Sequence, residues 1–92
     1  NIKKTPEGPV VKEEREPLTD VFDEKNEIVI IAEIPGVSEE GAAVSLKGDI
    51  LEISASGKNR TYYKEILLPA KVKAETLTHS FKNGILEIRI KK

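Results

Sequence analysis

From Leu18 onward apolar residues come in short runs: LTDVFD (18–23), EIVIIAEI (27–34), AAVSLK (42–47), ILEISAS (50–56), TYYKEILL (61–68), TLTHSFK (76–82) and ILEIRIK (85–91). None holds a 3.6-residue period long enough for an ordinary helix, so the pattern predicts an all-β domain of about seven strands in a two-sheet antiparallel sandwich. In the final run Leu86, Ile88 and Ile90 alternate with Glu87 and Arg89, and Leu51 and Ile53 repeat the pattern. A strand's side chains point alternately to its two faces, so these sets are predicted to fill the space between the sheets. EIVIIAEI departs from this: Ile28, Ile30 and Ile34 share one face while Val29 and Ile31 take the other. Both faces then need cover, the second from the N-terminal arm or another subunit. Val29 and Ile31, with Tyr62 and Tyr63, are the candidate self-association surface of a weak homodimer or small oligomer.

Turn chemistry separates the runs. Asn83-Gly84 is the most specific signal, because a type I′ turn needs positive φ at both central residues and this pair tolerates it best. Gly48-Asp49 and Gly57–Asn59 read as further hairpin tips, Lys25-Asn26 turns the chain, and Pro35-Gly36 and Pro69 end strands. Ser38 before Glu39 and Glu40 resembles a helix start, but Gly41 interrupts it, and a loop is predicted. Residues 1–17, with Pro6, Gly8, Pro9 and Pro17, carry too few apolar groups to offset ordering entropy. They are assigned to a flexible arm in which only Val10 and Val11 would stick, and 18–92 to the domain. The absence of methionine, even at position 1, suggests a piece or processed product of a longer chain.

Charge narrows the partners. Lys plus Arg number 15 against 16 Asp plus Glu, so no strong field draws nucleic acid or an anionic membrane. No apolar run approaches the roughly 20 residues that span a bilayer. The lack of cysteine removes disulfides, thiol catalysis and thiolate metal sites, and fits a reducing cytoplasm. The one histidine, His79, with scattered carboxylates makes a poor ligand set, so neither metal nor cofactor is expected. The paired carboxylates fall in the arm and at turns, and no nucleophile, base and orienter can be placed together, which argues against an enzyme. Gly57–Asn59 has too few glycines for a phosphate cradle. Tyr62 and Tyr63 beside Lys58, Arg60 and Lys64 hint at base stacking, which the balanced charge outweighs.

AEIPGV (32–37), VSLKGDILEISA (44–55), LLP (67–69) and FKNGILEI (81–88), in that order, resemble the α-crystallin domain of small heat shock proteins. HSFKNGIL (79–86) keeps the asparagine, glycine and leucine of the family's pattern near its end at Asn83, Gly84 and Leu86. The resemblance covers about residues 18–92. It implies an immunoglobulin-like sandwich and, for most members, ATP-independent holding of unfolding proteins. The family groove that receives tails or client segments maps onto Val44, Leu46, Leu77, His79 and Phe81.

Three departures qualify the resemblance. The family's long loop with an exchanged strand is replaced by the short SGKNR (56–60), so a dimer of that type is not expected. Ile88-Arg89-Ile90 has the letters of the family's docking tail but lies within the last strand, where it should serve the core. His79 stands where the family has alanine and narrows the groove; a histidine there suggests a pH switch, though the plainer reading is a partly exposed packing residue. The resemblance thus implies a chaperone (holdase) for exposed hydrophobic segments. The rival is an adaptor for one specific protein, as in co-chaperone domains and gas-vesicle accessory proteins of this sandwich class.

Overall fold

The computed structural model describes residues 13–92. Eight strands form, β1 (Glu13–Arg15), β2 (Leu18–Asp23), β3 (Glu27–Glu33), β4 (Ala42–Lys47), β5 (Ile50–Ser56), β6 (Arg60–Leu67), β7 (Thr78–Lys82) and β8 (Ile85–Lys91). They divide into two four-stranded sheets, β1-β6-β5-β4 and β2-β3-β8-β7. Every pairing is antiparallel except that of β1 with β6.

Alternation dictates the centre. Ile28, Ile30 and Ala32 of β3 lie opposite Ile90, Ile88 and Leu86 of β8, and all six are almost fully buried. Facing them from the other sheet are Leu51, Ile53, Ala55, Tyr62 and Ile66. Ile88 and Ile90 thus serve the core, as the tripeptide's place in the strand predicted.

The unalternating run is covered from within the chain. Val29 lies between Phe22 of β2 and Arg89 of β8 on the outer face. Arg89 is held there by its Nε donating to Glu87 (2.7 Å) and its Nη1 to Glu27 (2.8 Å). Val29 is consequently only 7% exposed, whereas Ile31, flanked by Asp20 and Glu87, stays half-buried.

Some boundaries differ from the sequence reading. Part of the stretch assigned to the arm is ordered: Glu13–Arg15 pairs in parallel with Arg60–Tyr62. Its three residues are all exposed, so backbone hydrogen bonding to β6 secures it, which an apolar pattern does not reveal. Val10 and Val11 lie outside the described residues. The 76–82 run loses its first two residues because Ala74–Thr76 makes a 3-10 turn, closed by Thr76 donating its N–H (2.9 Å) and hydroxyl (2.7 Å) to Lys73 O. Glu39–Gly41 is likewise one 3-10 turn rather than open loop.

Asn83 (φ 52°) and Gly84 (φ 78°) have the paired positive angles of a type I′ turn. At Gly48-Asp49 only Gly48 (φ 61°) is positive, the type II′ pattern. Gly57 answers to a different demand: a Cβ there would sit 2.2 Å from the carbonyl oxygen of Gly36. The β5–β6 tip and the Pro35-Gly36 loop therefore touch backbone to backbone.

Two substitutions test this packing by chemical denaturation. Ile88→Ala should cost about 2–5 kcal/mol, the range for emptying a buried aliphatic site. Gly57→Ala, which forces the two loops apart, should cost about 1–3 kcal/mol.

Candidate functional site: the open rim between β4 and β7

Only Glu16 and Pro17 separate β1 from β2, which belong to different sheets. These two edge strands must therefore share one rim of the sandwich, and the sheet orders leave β4 and β7 together at the other. Among the described residues each of β4 and β7 has a neighbouring strand on one side only, which leaves a backbone edge of each open.

The side chains at this rim follow from alternation. Ala42, Val44 and Leu46 of β4 are half-buried while Ala43, Ser45 and Lys47 are exposed. On β7, His79 lies opposite Ile88 and Phe81 opposite Leu86, which puts both on the sheet's core-facing side. Phe81 and Leu77 are half-buried against the core, as are Val44 and Leu46. His79, between Leu77 and Phe81 in sequence, is exposed. The structure thus puts Val44 and Leu46 on one edge strand, His79 and Phe81 on the other and Leu77 just before it, four half-buried apolar side chains with His79 exposed among them. Ala42 belongs with them, and the same 42/44/46 alternation carried the signal for it.

The second predicted surface does not hold together. Tyr62 points inward, is 4% exposed, and donates its hydroxyl to Pro35 O at 2.8 Å, while Arg60 Nη1 donates to the Tyr62 oxygen at 3.2 Å. Tyr63 points outward from the same strand and is 44% exposed. The two tyrosines therefore form neither a common contact surface nor a base-stacking platform, and Val29 is covered as described. Consecutive strand residues cannot share a face, a consequence of the pleat. Ile31 and Tyr63 alone remain accessible, on different sheets.

Tyr63 has its own role. Glu52 and Glu65 lie directly opposite one another on β5 and β6, a repulsive placement. The Tyr63 hydroxyl reaches Oε2 of Glu65 and Oε2 of Glu52, each at 2.8 Å. Hydrogen bonds to Glu65 and then to Glu52 hold the phenol protonated well above its ordinary range.

Among the described residues no group of His, Asp and Glu is arranged to hold a metal ion, and no helix is long and apolar enough to cross a membrane. What the rim offers is non-covalent: apolar side chains flanked by unpaired backbone.

The model of the Hsp20/alpha crystallin family matches residues 20–92. A small heat shock protein C4 of Rickettsia felis is 30% identical over 92 residues, an alignment covering 83% of this chain and 56% of that protein. The chain thus spans little more than half the length of that relative. Among solved structures, hspA of Xanthomonas axonopodis superposes with a TM-score of 0.75 at 27% identity, covering 83% of this chain and 92% of that one. Heat shock protein 16.0 of Schizosaccharomyces pombe superposes at 0.76 with 24% identity, covering 88% and 68%, a likeness of fold alone.

The Tyr63 arrangement predicts a pH dependence. A phenol favoured in its protonated form by the fold contributes stability below its unfolded value of about 10, lost as pH rises toward the higher folded value. Tyr63→Phe should therefore be less stable than the parent at neutral pH, and thermal melts should show the gap narrowing above about pH 10.

Proposed function

The chain belongs to the Hsp20/alpha crystallin family, and on that premise we propose that it is an ATP-independent holdase whose β4–β7 rim binds exposed hydrophobic segments of unfolding proteins. The observation that carries this reading is the set of half-buried apolar side chains at this rim, Val44 and Leu46 on β4, Phe81 on β7 and Leu77 just before it. A segment lying there gains in two ways: it buries apolar area, and it adds backbone hydrogen bonds to an edge. Fully burying one aliphatic side chain is worth about 1.5–3 kcal/mol. Two or three such anchors, less the ordering of the captured segment, give binding weak enough to release the client without nucleotide.

In this reading the partners are unfolding proteins, and the chain acts as a homodimer or small oligomer in the cytoplasm, binding rather than catalysing. With a three-residue tip at 57–59 joining β5 directly to β6, its self-association proceeds without an exchanged strand.

Light scattering of heat-labile clients, with and without the chain, tests the proposal. Suppression across unrelated clients is expected; no suppression, alongside tight capture of one protein, would make the chain an adaptor instead. His79→Ala, which trims the exposed side chain at this rim, should raise suppression by about twofold, and Val44→Asp should lower it severalfold by placing a carboxylate among apolar neighbours. Circular dichroism melts on both variants separate these effects from unfolding.

A further inference from the structure

One side chain in the last hairpin turn is chemically labile. Of the four asparagines, Asn1, Asn26 and Asn59 precede Ile2, Glu27 and Arg60, whereas Asn83 precedes Gly84. A side chain on the following residue screens its amide nitrogen, and glycine has none. Asn83 is exposed. Because Lys82 and Ile85 close the hairpin, the Gly84 N–H lies outside the ladder. A nucleophilic nitrogen and an amide carbon are thus neighbours in the chain, open to water.

We propose that Asn83 is a site of spontaneous deamidation, gated by opening of the β7–β8 hairpin tip, and that its isoaspartyl product loosens the β7 side of the rim. The Gly84 nitrogen, having given its proton to hydroxide, attacks Asn83 Cγ. The N–Cγ bond forms, the Cγ–Nδ2 bond breaks, and Nδ2 leaves as ammonia with a proton taken from water. Water then opens the cyclic imide. Attack at Cγ breaks its new bond to nitrogen and yields aspartate; attack at the main-chain carbonyl carbon of Asn83 breaks the original peptide bond and routes the chain through the side chain, as isoaspartate. One water is taken up and one ammonia released, with nothing oxidised or reduced.

The fold holds this reaction back. Ring closure needs a large rotation about the Asn83 Cα–C bond, away from the left-handed conformation of the turn (φ 52°). The Ile34 N–H donates to Gly84 O at 2.8 Å, and the Gly84 backbone packs on Pro35, whose Cα would lie 3.4 Å from a Cβ built there. Opening therefore precedes chemistry. Since β7 ends its sheet with four of its five residues exposed, its tip opens more readily than the strands of the core.

Isoaspartate adds a backbone carbon to a two-residue loop whose geometry fixes the strand register. Lys82 and Ile85 can then no longer close the hairpin as before. The damage falls on β7, with His79 and Phe81, and spares the pairing of β3 with β8. An aged molecule keeps its core and loses one side of its rim, whether or not that rim binds clients.

Mass spectrometry of the full chain, kept folded in warm, mildly alkaline buffer, tests the proposal. The intact mass should rise by about one unit, peptide mapping with an isoaspartyl methyltransferase should place the change at Asn83, and unfolding in urea should speed it by about tenfold or more. Asn83→Gly, which keeps a pair suited to the turn, should gain no mass. In the aged protein amide exchange should quicken in residues 78–82 and stay slow in 28–32. Freshly prepared Asn83→Asp carries the added charge on an ordinary backbone and should keep the parent's protection. No mass gain, a gain at Asn26 or Asn59 in place of Asn83, equal rates folded and unfolded, or the same loosening of 78–82 in fresh Asn83→Asp would overturn the proposal.

Discussion

Everything in this molecule depends on one seam, the pairing of β3 with β8 that lines up Ile28 with Ile90, Ile30 with Ile88 and Ala32 with Leu86. Six apolar side chains, none more than 1% exposed, close one wall of a small core. Leu51 and Ile53 close the other wall with the same completeness. A chain of this size buries too little surface to spare any of it, so the rest of the core, Ile34, Val37, Ala55, Tyr62, Ile66 and Leu68, packs around these residues.

Away from the seam, burial thins toward the outer strands, and the two rims solve that problem differently. At the β4–β7 rim the inward side chains stay apolar and half-buried with no carboxylate on β4 or β7 themselves, which suits loose contact with greasy segments. At the other rim β1 protects the start of β6, Pro17 is buried at the crossing, and β2 carries aspartates. The difference lies in charge placement rather than backbone geometry, since among the described residues every outer strand has a neighbour on one side only.

How much of this was legible in the sequence follows from which forces leave a pattern. Burial does, so the alternation of Leu86, Ile88 and Ile90, and of Leu51 and Ile53, predicts the faces that the structure buries. Positive φ does too, through Asn83-Gly84. The short tip at 57–59 was equally plain. Pairing sustained by backbone hydrogen bonds does not, which is why Glu13–Arg15 was read as part of an arm. Cover supplied by the stem of a charged residue is also silent: Arg89, fixed by Glu87 and Glu27, hides Val29, and no hydropathy pattern predicts that. Tyr62 and Tyr63, adjacent on one strand, fall on opposite faces by the same alternation, one buried and one exposed.

The direct β5–β6 and β7–β8 hairpins join neighbours in the chain, but β3 must wait for a strand that begins fifty-two residues after its own last one, Glu33 to Ile85. During synthesis from the N-terminus, Ile28 and Ile30 therefore emerge long before their partners and stand uncovered until β8 has left the ribosome. Contacts between distant parts of a chain form slowly and leave apolar strands open to misassembly meanwhile. The nascent polypeptide thus passes through the same hazard, a bare aliphatic strand in search of cover, that a holdase relieves in other proteins.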